Sequence, residues 1–427
     1  MNVVIFGLGY VGMTLGVHIA SKGHRVYGID KSEIVLSALS EGRAHFYEEG
    51  FDSHLADVIE SGRFSFGSVL SVPCNESALY IVTVGTPLVD GVVTLEPLKN
   101  ALSVIAGSLK ENDSVVLRST VEVGCTRRIA KPILDLASVN YFLGFCPERT
   151  LEGVALEELA SLPQIVSGVD SKSHNVMVEF FSKISKEVVP LNSVEEAELV
   201  KLLNNSERDL KFALANEIAL MCDALNISSS NVIRAANYKY PRSDLKFPGP
   251  VGGPCLGKDP YILTGSFSDL SYIPTLFKTG RKVNESIVSR SVTKALDMYQ
   301  GSLPPRVCIL GMAFKGFPRT GDVRGSLAID LIECIKYESQ GSLILAHDYL
   351  STTSDILSCG VTSKLEELEL IASDFDIVFI QNNHPNYRLE LPSILEQATD
   401  NVIVYDFWSQ LGSIDNPNVI YCALGEN

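Results

Sequence analysis

With 427 residues the chain is too long for one ordinary hydrophobic core, so two or three domains are expected. Its hydrophobic content of 46% and charged content of 20% fit a globular protein with well-buried sheets, and no apolar run is long enough to span a bilayer. A formal net charge of -16 argues against a nucleic-acid partner, which needs a basic surface, but leaves room for an anionic small substrate where a few Lys and Arg gather.

The start, Met-Asn-Val-Val-Ile-Phe-Gly, lacks the basic head and small-residue cleavage site of a signal peptide, so a cytoplasmic protein with no membrane partner is expected. Over the first 190 residues apolar strands alternate with amphipathic helices. Strands are predicted at 2–6, 25–29, 78–82, 114–117 and 164–167, and helices at 11–22 and 95–109. That alternation implies right-handed parallel crossovers and a doubly wound sheet. Ser193-Val-Glu-Glu196 then reads as a capping box, and roughly thirty residues without Gly or Pro follow it to about Asn226. So long a helix suits a spine between domains or the face of a homodimer; a bundled core helix would show the same pattern. A Pro- and Gly-rich loop covers 240–260, a further helix is predicted over 274–299, and Gly301-Ser-Leu-Pro-Pro305 is the best linker. Beyond it Arg306-Val-Cys-Ile-Leu-Gly311 opens a second strand–helix series, with strands at 342–346, 377–380 and 402–405. The expected fold is α/β: two Rossmann-like doubly wound domains, 1–190 and 301–427, joined by a central helical domain, 191–300, built on the long spine helix.

The sharpest local signal is Gly7-Leu-Gly9-Tyr10-Val11-Gly12, which follows an apolar strand and opens a helix. The first glycine makes the tight turn, the second admits a pyrophosphate to the backbone, and the third lets helix pack on strand, with free N–H groups at the helix start facing the phosphates. Eighteen residues after Gly12, Asp30 ends the next strand, where a carboxylate accepts from both ribose hydroxyls and repels a 2′-phosphate. NAD is therefore favoured over NADP, with Lys31 the one feature pointing the other way and FAD the main competing dinucleotide. Gly7, Gly9, Tyr10, Val11, Gly12 and Asp30 are the expected cofactor contacts. Gly311 begins a similar turn without the full triplet, which suits a different nucleotide.

Nine cysteines are scattered with no Cys-x-x-Cys pair and no nearby His pair, which argues for reduced thiols and against disulfides or a metal site. Most suit buried core positions, but Cys255 sits in Lys246-Phe-Pro-Gly-Pro-Val-Gly-Gly-Pro-Cys255-Leu-Gly-Lys258-Asp259. Gly and Pro there fix special dihedrals, and Lys258 is placed to lower the thiol pKa, so Cys255 reads as a nucleophile on a rigid loop or as a buried structural thiol. On the long helix Lys201 and Asn205 share a face, with Glu198 one turn before Lys201. They either aim a cation and an amide at a site or form a solvated Glu–Lys pair.

As a set these residues resemble the UDP-glucose/GDP-mannose dehydrogenases, which oxidise the CH2OH of a nucleotide sugar to a carboxylate. The resemblance runs over almost the whole chain: the Gly7–Gly12 loop, Val84-Gly-Thr86-Pro87, Ser119-Thr120-Val121, Cys146-Pro-Glu148-Arg-Thr-Leu-Glu152-Gly, Glu198…Lys201…Asn205, Gly252-Gly-Pro-Cys255-Leu-Gly-Lys258-Asp259, Gly311-Met-Ala-Phe314-Lys315 and Gly321-Asp322-Val-Arg324-Gly-Ser326. It implies two successive oxidations at C6 through a Cys255 thiohemiacetal and thioester, with NAD as acceptor, for making surface-polysaccharide precursors. Lys201 and Asn205 would stabilise oxyanions and contact the sugar. Asp259 and a water, supported by Thr120, would handle protons, and Glu148 would be the base or positioning group for thioester hydrolysis. Thr86 and Thr120 would line the cofactor site, Arg324 would reach the NAD phosphates, and Glu152, Phe314 and Lys315 would hold the sugar nucleotide. Arg242 resembles the arginine that family members lend to a neighbouring subunit.

Three departures stand out. His45 in Gly42-Arg-Ala-His45-Phe-Tyr-Glu48-Glu49-Gly50 replaces a usual proline, Gly321 replaces the first acid of Asp-Asp-x-Arg, and Pro254 precedes the cysteine. The substrate implied is a UDP-linked sugar: Pro241-Arg242 with Cys146-Pro-Glu-Arg149 is closer to the UDP-N-acetylmannosamine and UDP-N-acetylglucosamine branch, whereas Lys258 fits UDP-glucose or GDP-mannose enzymes. Two rivals make different demands. A two-electron dehydrogenase of the hydroxyacid type needs neither Cys255 nor a second α/β domain, and a non-catalytic sensor would bind both ligands without turnover.

Overall fold

The computed structural model describes residues 2–70, 77–89, 92–412 and 414–426; Cys74 lies outside them. The chain forms two compact units, residues 1–204 with 261–272, and residues 205–260 with 273–427. The segment 191–300, expected as one helical domain, has its residues divided between the two.

The first unit is built on an eight-stranded sheet. In chain order its strands are β1 (Asn2–Phe6), β2 (Arg25–Ile29), β3 (Phe64–Gly67), β4 (Ala78–Val82), β7 (Asp113–Leu117), β8 (Tyr141–Phe145), β9 (Gln164–Gly168) and β10 (Val188–Pro190), with a small hairpin of β5 (Leu88–Val89) and β6 (Val92–Val93) between β4 and β7. The spatial order is β10-β9-β8-β7-β4-β1-β2-β3. Every residue of β1, β4, β7 and β9 is buried, because helices cover both faces of the sheet. The period of two decides which helices each residue meets. Val3 and Ile5 pack with Leu15, Ile19 and Phe181, whereas Val4 and Phe6 pack with Leu98, Leu102 and Ile105. Each such aliphatic or aromatic side chain contributes about 1.5–3 kcal/mol when fully buried. One expectation is corrected here. The strand predicted at 164–167 runs antiparallel to β8, not parallel, and parallel to β10. Gly168 lies against the backbone of His174, where a Cβ would meet the amide nitrogen at 2.2 Å, so the sheet reverses at a point only glycine fits.

The second unit carries a six-stranded parallel sheet of β11 (Arg306–Leu310), β12 (Leu343–His347), β13 (Ser363–Lys364), β14 (Ile377–Ile380), β15 (Val402–Asp406) and β16 (Val419–Ala423), in the order β13-β12-β11-β14-β15-β16. The order reverses between β11 and β14, the crevice where such sheets accept ligands. Val307 and Ile309 face a core with Leu331, Ile335 and Val292, and Cys308 and Leu310 face Tyr387 and Leu391.

The spine helix runs Val194–Leu225. Its capping box forms as the sequence implies: Glu196 N–H donates to Ser193 Oγ at 3.2 Å, and the Glu196 carboxylate accepts from the N–H groups of Asn192 and Ser193. Helix Thr275–Met298 packs on its second-unit half, where a Cβ on Gly280 would fall 2.8 Å from Leu210. Among the described residues no helix is long and apolar enough to cross a membrane.

Candidate functional site

The residues singled out by the sequence fall into two groups, one in each unit. In the first, Gly7 has φ +94°, a conformation natural to glycine, and its carbonyl accepts from the Thr83 hydroxyl at 2.7 Å. A Cβ on Gly12 would lie 1.9 Å from the Gly7 carbonyl oxygen, so only glycine lets helix Tyr10–Ser21 approach the turn, whereas a Cβ on Gly9 meets nothing within 4 Å. The turn is therefore tight below and open at Gly9, the shape a pyrophosphate needs. Asp30 closes the loop: its oxygens accept from Leu8 N–H at 2.7 Å and Ser32 N–H at 2.8 Å, leaving lone pairs for ribose hydroxyls. These residues fit NAD. Thr86 donates its hydroxyl to the Thr120 carbonyl at 2.6 Å, and Ser119 donates to the Val84 carbonyl at 2.6 Å, so the loops after β4 and β7 are held together.

Tyr10 does more than stand between glycines. Its hydroxyl donates to Glu48 Oε2 at 2.5 Å, the same carboxylate accepts from the N–H groups of Gly153 and Ala155, and burial pushes the Tyr10 phenol up. Glu48 thereby ties the glycine loop to the segment that carries Glu152. Glu148 is buried and held by four donors. Oε2 accepts from Arg118 Nε at 3.0 Å and Nη2 at 2.8 Å, and Oε1 accepts from the N–H groups of Arg149 and Thr150. Burial alone would raise its pKa, but Arg118 and these N–H groups outweigh it and hold the carboxyl below the ordinary glutamate range. Arg118 also reaches Cys146 Sγ at 3.0 Å, yet burial dominates that thiol and pushes it up to about 11.

The solvated Glu198–Lys201 pair is not what forms. Glu198 is fully buried and accepts from Gly124 N–H at 2.5 Å, Thr126 N–H at 2.8 Å and Thr126 Oγ1 at 2.6 Å. It caps the helical turn that starts at Thr126, supplying from another element the acceptor that a local N-cap residue would otherwise give. Lys201, one turn on, is buried with it.

In the second unit, Asn205 Nδ2 donates to Asp259 Oδ2 at 2.6 Å, with both residues buried. Cys255 lies in the turn that leads into Asp259, its carbonyl accepting from Lys258 and Asp259 N–H groups, and it is the one exposed cysteine among the described residues. Its loop rests on glycine contacts: Gly253 N–H donates to Gly325 O at 2.6 Å, and the Phe314 ring lies where a Gly253 side chain would stand. Lys315 Nζ lies 5.4 Å from that ring, and Arg242 stacks on Tyr240 at 4.5 Å. Arg324 is exposed and forms a two-pronged pair with Asp322 at 2.9 and 2.6 Å. At the sheet end, Gly311 repeats the Gly7 turn with φ +89°, and Asp348 stands where Asp30 stands. Asp348, however, accepts from four N–H groups, those of Met312, Ala313, Leu350 and Ser351, so it is saturated where Asp30 is not.

Residues 1–187 match the model of the NAD binding domain of the UDP-glucose/GDP-mannose dehydrogenase family, and residues 195–286 match its central domain. A UDP-N-acetyl-D-glucosamine 6-dehydrogenase of Salmonella typhi is 32% identical over 348 residues, 78% of this chain and 79% of that protein. The chain belongs to the UDP-glucose/GDP-mannose dehydrogenase family. It is an NAD-dependent nucleotide-sugar dehydrogenase, an oxidoreductase acting on CH–OH. A UDP-N-acetyl-D-mannosamine dehydrogenase of Pyrococcus horikoshii is 28% identical over 91% of this chain and 90% of that protein. The solved structure of UDP-D-ManNAc dehydrogenase from the same organism superposes with a TM-score of 0.86, at 26% identity, over 100% of this chain and 99% of that one.

The departures from the family pattern now have physical accounts. At Gly321 a Cβ would fall 2.8 Å from the Leu350 carbonyl oxygen, so the usual acid has no room, and the next residue, Asp322, pairs with Arg324. His45 packs edge-on against Phe46, whose ring meets Tyr10 at 4.7 Å, so the segment still delivers Glu48. Pro254 restricts φ beside Gly253, itself at φ +96°, and so stiffens the backbone that leads to the thiol. Sequence reasoning missed Thr83, Arg118 and the cluster of Asp209, Asn216, Arg281 and Asn284. Arg118 did carry a signal, being a cation directly after the apolar run Val115-Val-Leu117.

Proposed function

We propose that the enzyme oxidises C6 of a UDP-linked N-acetylhexosamine, UDP-N-acetylmannosamine or UDP-N-acetylglucosamine, to the uronate by way of a Cys255 thioester. The observation that carries this is the exposed thiol on a stiffened loop next to the Asn205–Asp259 hydrogen bond. Gly7, Gly9, Gly12 and Asp30 would hold NAD, which would supply the hydride acceptor, one molecule for each of the two oxidations in succession. Lys201 and Asn205, one helical turn apart, donate to the C6 oxygen as it gains negative character. Asp259 and a water, supported by Thr120, take the alcohol proton. The Cys255 thiolate adds to the aldehyde carbon, forming a C–S bond; oxidation of that thiohemiacetal leaves a thioester, and water cleaves the C–S bond to give carboxylate and thiol. Glu148, held by four donors, acts by fixing its loop. Glu152, Phe314, Lys315 and Arg242 hold the sugar nucleotide, and Arg324 answers the NAD phosphates.

The N-acetylhexosamine assignment is supported by the names of the relatives described above, and such uronates suit surface-polysaccharide precursors. The three-part organisation, 1–190, 191–300 and 301–427, belongs to the same reading, as does a homodimer through the exposed Leu214, Met221 and Leu225 of the spine helix. The test is stoichiometry over UDP-N-acetylmannosamine, UDP-N-acetylglucosamine, UDP-glucose and GDP-mannose. Two NADH per sugar, with Cys255→Ala abolishing uronate, is expected with an N-acetylhexosamine. A ratio of one would mean a simple dehydrogenase, and zero a sensor.

A further inference from the structure

The Cys255 loop is fastened from beneath by charged and amide groups that lie outside the expected reaction site. Arg281, Asp209, Asn284 and Asn216 are all buried, at 2%, 1%, 0% and 0% exposure. Arg281 Nη1 donates to Asp209 Oδ1 at 2.5 Å and to the Leu256 carbonyl at 3.4 Å, and Nη2 donates to the Val251 carbonyl at 3.1 Å. One guanidinium plane thus bridges the two sides of the loop, four residues before the thiol and one after it. Nε faces Glu285 Oε1 at 3.4 Å. Asn284 donates to both the carbonyl and the carboxylate of Asp209 at 2.9 Å and accepts from Asn216 at 2.8 Å. Asn216 in turn holds the loop entry in both directions, donating to the Gly249 carbonyl at 3.1 Å and accepting its N–H at 2.9 Å.

An interior this polar is costly unless every group is matched, and apolar residues of similar volume would serve packing alone at least as well. What the cluster adds is direction. Arginine's planar fork fixes two carbonyls relative to each other, which a lysine ammonium, a single point donor, does not. Gly249, Gly252 and Gly253 are the residues least able to hold a conformation by themselves, so the cluster joins Pro254 and the Gly253–Gly325 bond in setting the path of the loop.

We propose that Asp209, Arg281, Asn284 and Asn216 are positioning residues that set the Cys255 thiol at its reacting distance, so that they govern the thiol-dependent second oxidation and not the first. This rests on the thioester reading above. The first oxidation needs no sulfur; the second needs the C–S bond, and a misplacement of about 1 Å costs a bond-forming step on the order of a hundredfold.

The test variant is Arg281→Lys, which keeps the charge opposite Asp209 but loses the fork. Asn216→Ala, which releases Gly249 and one bond to Asn284 but leaves the Arg281–Asp209 pair, stands in if Arg281→Lys does not fold. In the full-length enzyme, single-turnover NADH formation in the presence of hydroxylamine to trap aldehyde reads the first step, and uronate yield reads the second. Alkylation of Cys255 by iodoacetamide, followed against pH without substrate, reads the loop. At unchanged melting temperature we expect the first hydride release to stay within about twofold of wild type. We expect uronate formation to fall about tenfold to a hundredfold, trapped aldehyde to appear, and the alkylation profile to shift. If both oxidations fall equally, or neither falls, or alkylation is unchanged, the positioning role is overturned. A wild-type ratio other than two NADH per sugar would instead sink the thioester reading, and the alkylation arm would then decide the cluster's role alone.

Discussion

Replacing Glu148 by Gln separates two roles that a carboxylate beside a reacting centre can have. The side chains are nearly isosteric, but the present carboxylate accepts four hydrogen bonds, two from the buried Arg118 guanidinium and two from backbone N–H groups. A glutamine amide offers one oxygen and one NH2, so whichever way it turns, two donors confront a donor and the Arg118 charge loses its counter-ion. Breaking a buried pair in this way costs about 3–5 kcal/mol. For a unit of about 200 residues that is a fall in melting temperature of roughly 6–20 °C. The acid side of the stability profile should change as well. Glu148's folded pKa lies below the reference value of 4.5, so its stabilisation is complete above that value and lost as pH falls through the folded pKa. The gap in melting temperature between wild type and Glu148→Gln, followed by circular dichroism from pH 7 downwards, should therefore be wide at neutral pH and narrow in acid. Uronate formation should show no acid limb assignable to Glu148. A variant that melts like wild type at pH 7 but has lost thioester hydrolysis would refute the anchoring argument and make Glu148 the base.

Three further expectations follow from individual contacts. Gly12→Ala brings a Cβ to 1.9 Å from the Gly7 carbonyl oxygen, so helix and turn must part; a stability loss of about 1–3 kcal/mol and at least a tenfold weaker NAD affinity, by calorimetry, are expected. Alkylation at pH 8 with peptide mapping should label Cys255 first. Cys146, with its thiol pushed up to about 11, is then only roughly one part in a thousand thiolate and should stay unlabelled until the protein unfolds. Glu198→Ala leaves two N–H groups and a hydroxyl without their acceptor, a loss of about 2–5 kcal/mol in denaturant melts. Because burial raises the Glu198 pKa, its carboxyl favours folding at low pH, and that contribution fades as pH rises through the folded value.

How much of this was legible beforehand depended on whether the cause was local. The Gly7 turn, the capping box at Ser193 and the all-apolar strands were readable because period and turn chemistry act over a few residues. The strand β8 was missed, since Tyr141-Phe-Leu-Gly-Phe145 announces itself only by pairing with β7 and β9. Lys201 and Asn205 were visible as one helical face, and the same face continues through Asp209 to Asn216. What sequence spacing does not contain is the partner of that face, Arg281 and Asn284, over sixty residues on along the chain. Glu198 shows the opposite error: its neighbour in sequence suggested an ion pair, while its real partners, Gly124 and Thr126, come from a loop that folds onto the helix.

The chain contains a single tryptophan, and its place gives it a use. The Trp408 indole donates to the Gln381 carbonyl at 2.9 Å and lies against Gly249, where a Cβ would stand 2.6 Å from the ring, with Phe212 edge-on at 6.3 Å. Gly249 is the entry to the thiol loop. The molecule thus carries one indole, excitable to the red of its tyrosines, resting on the segment whose placement matters most. Its emission and quenching offer a label-free clock for loop movement during turnover, readable by stopped flow alongside NADH absorbance.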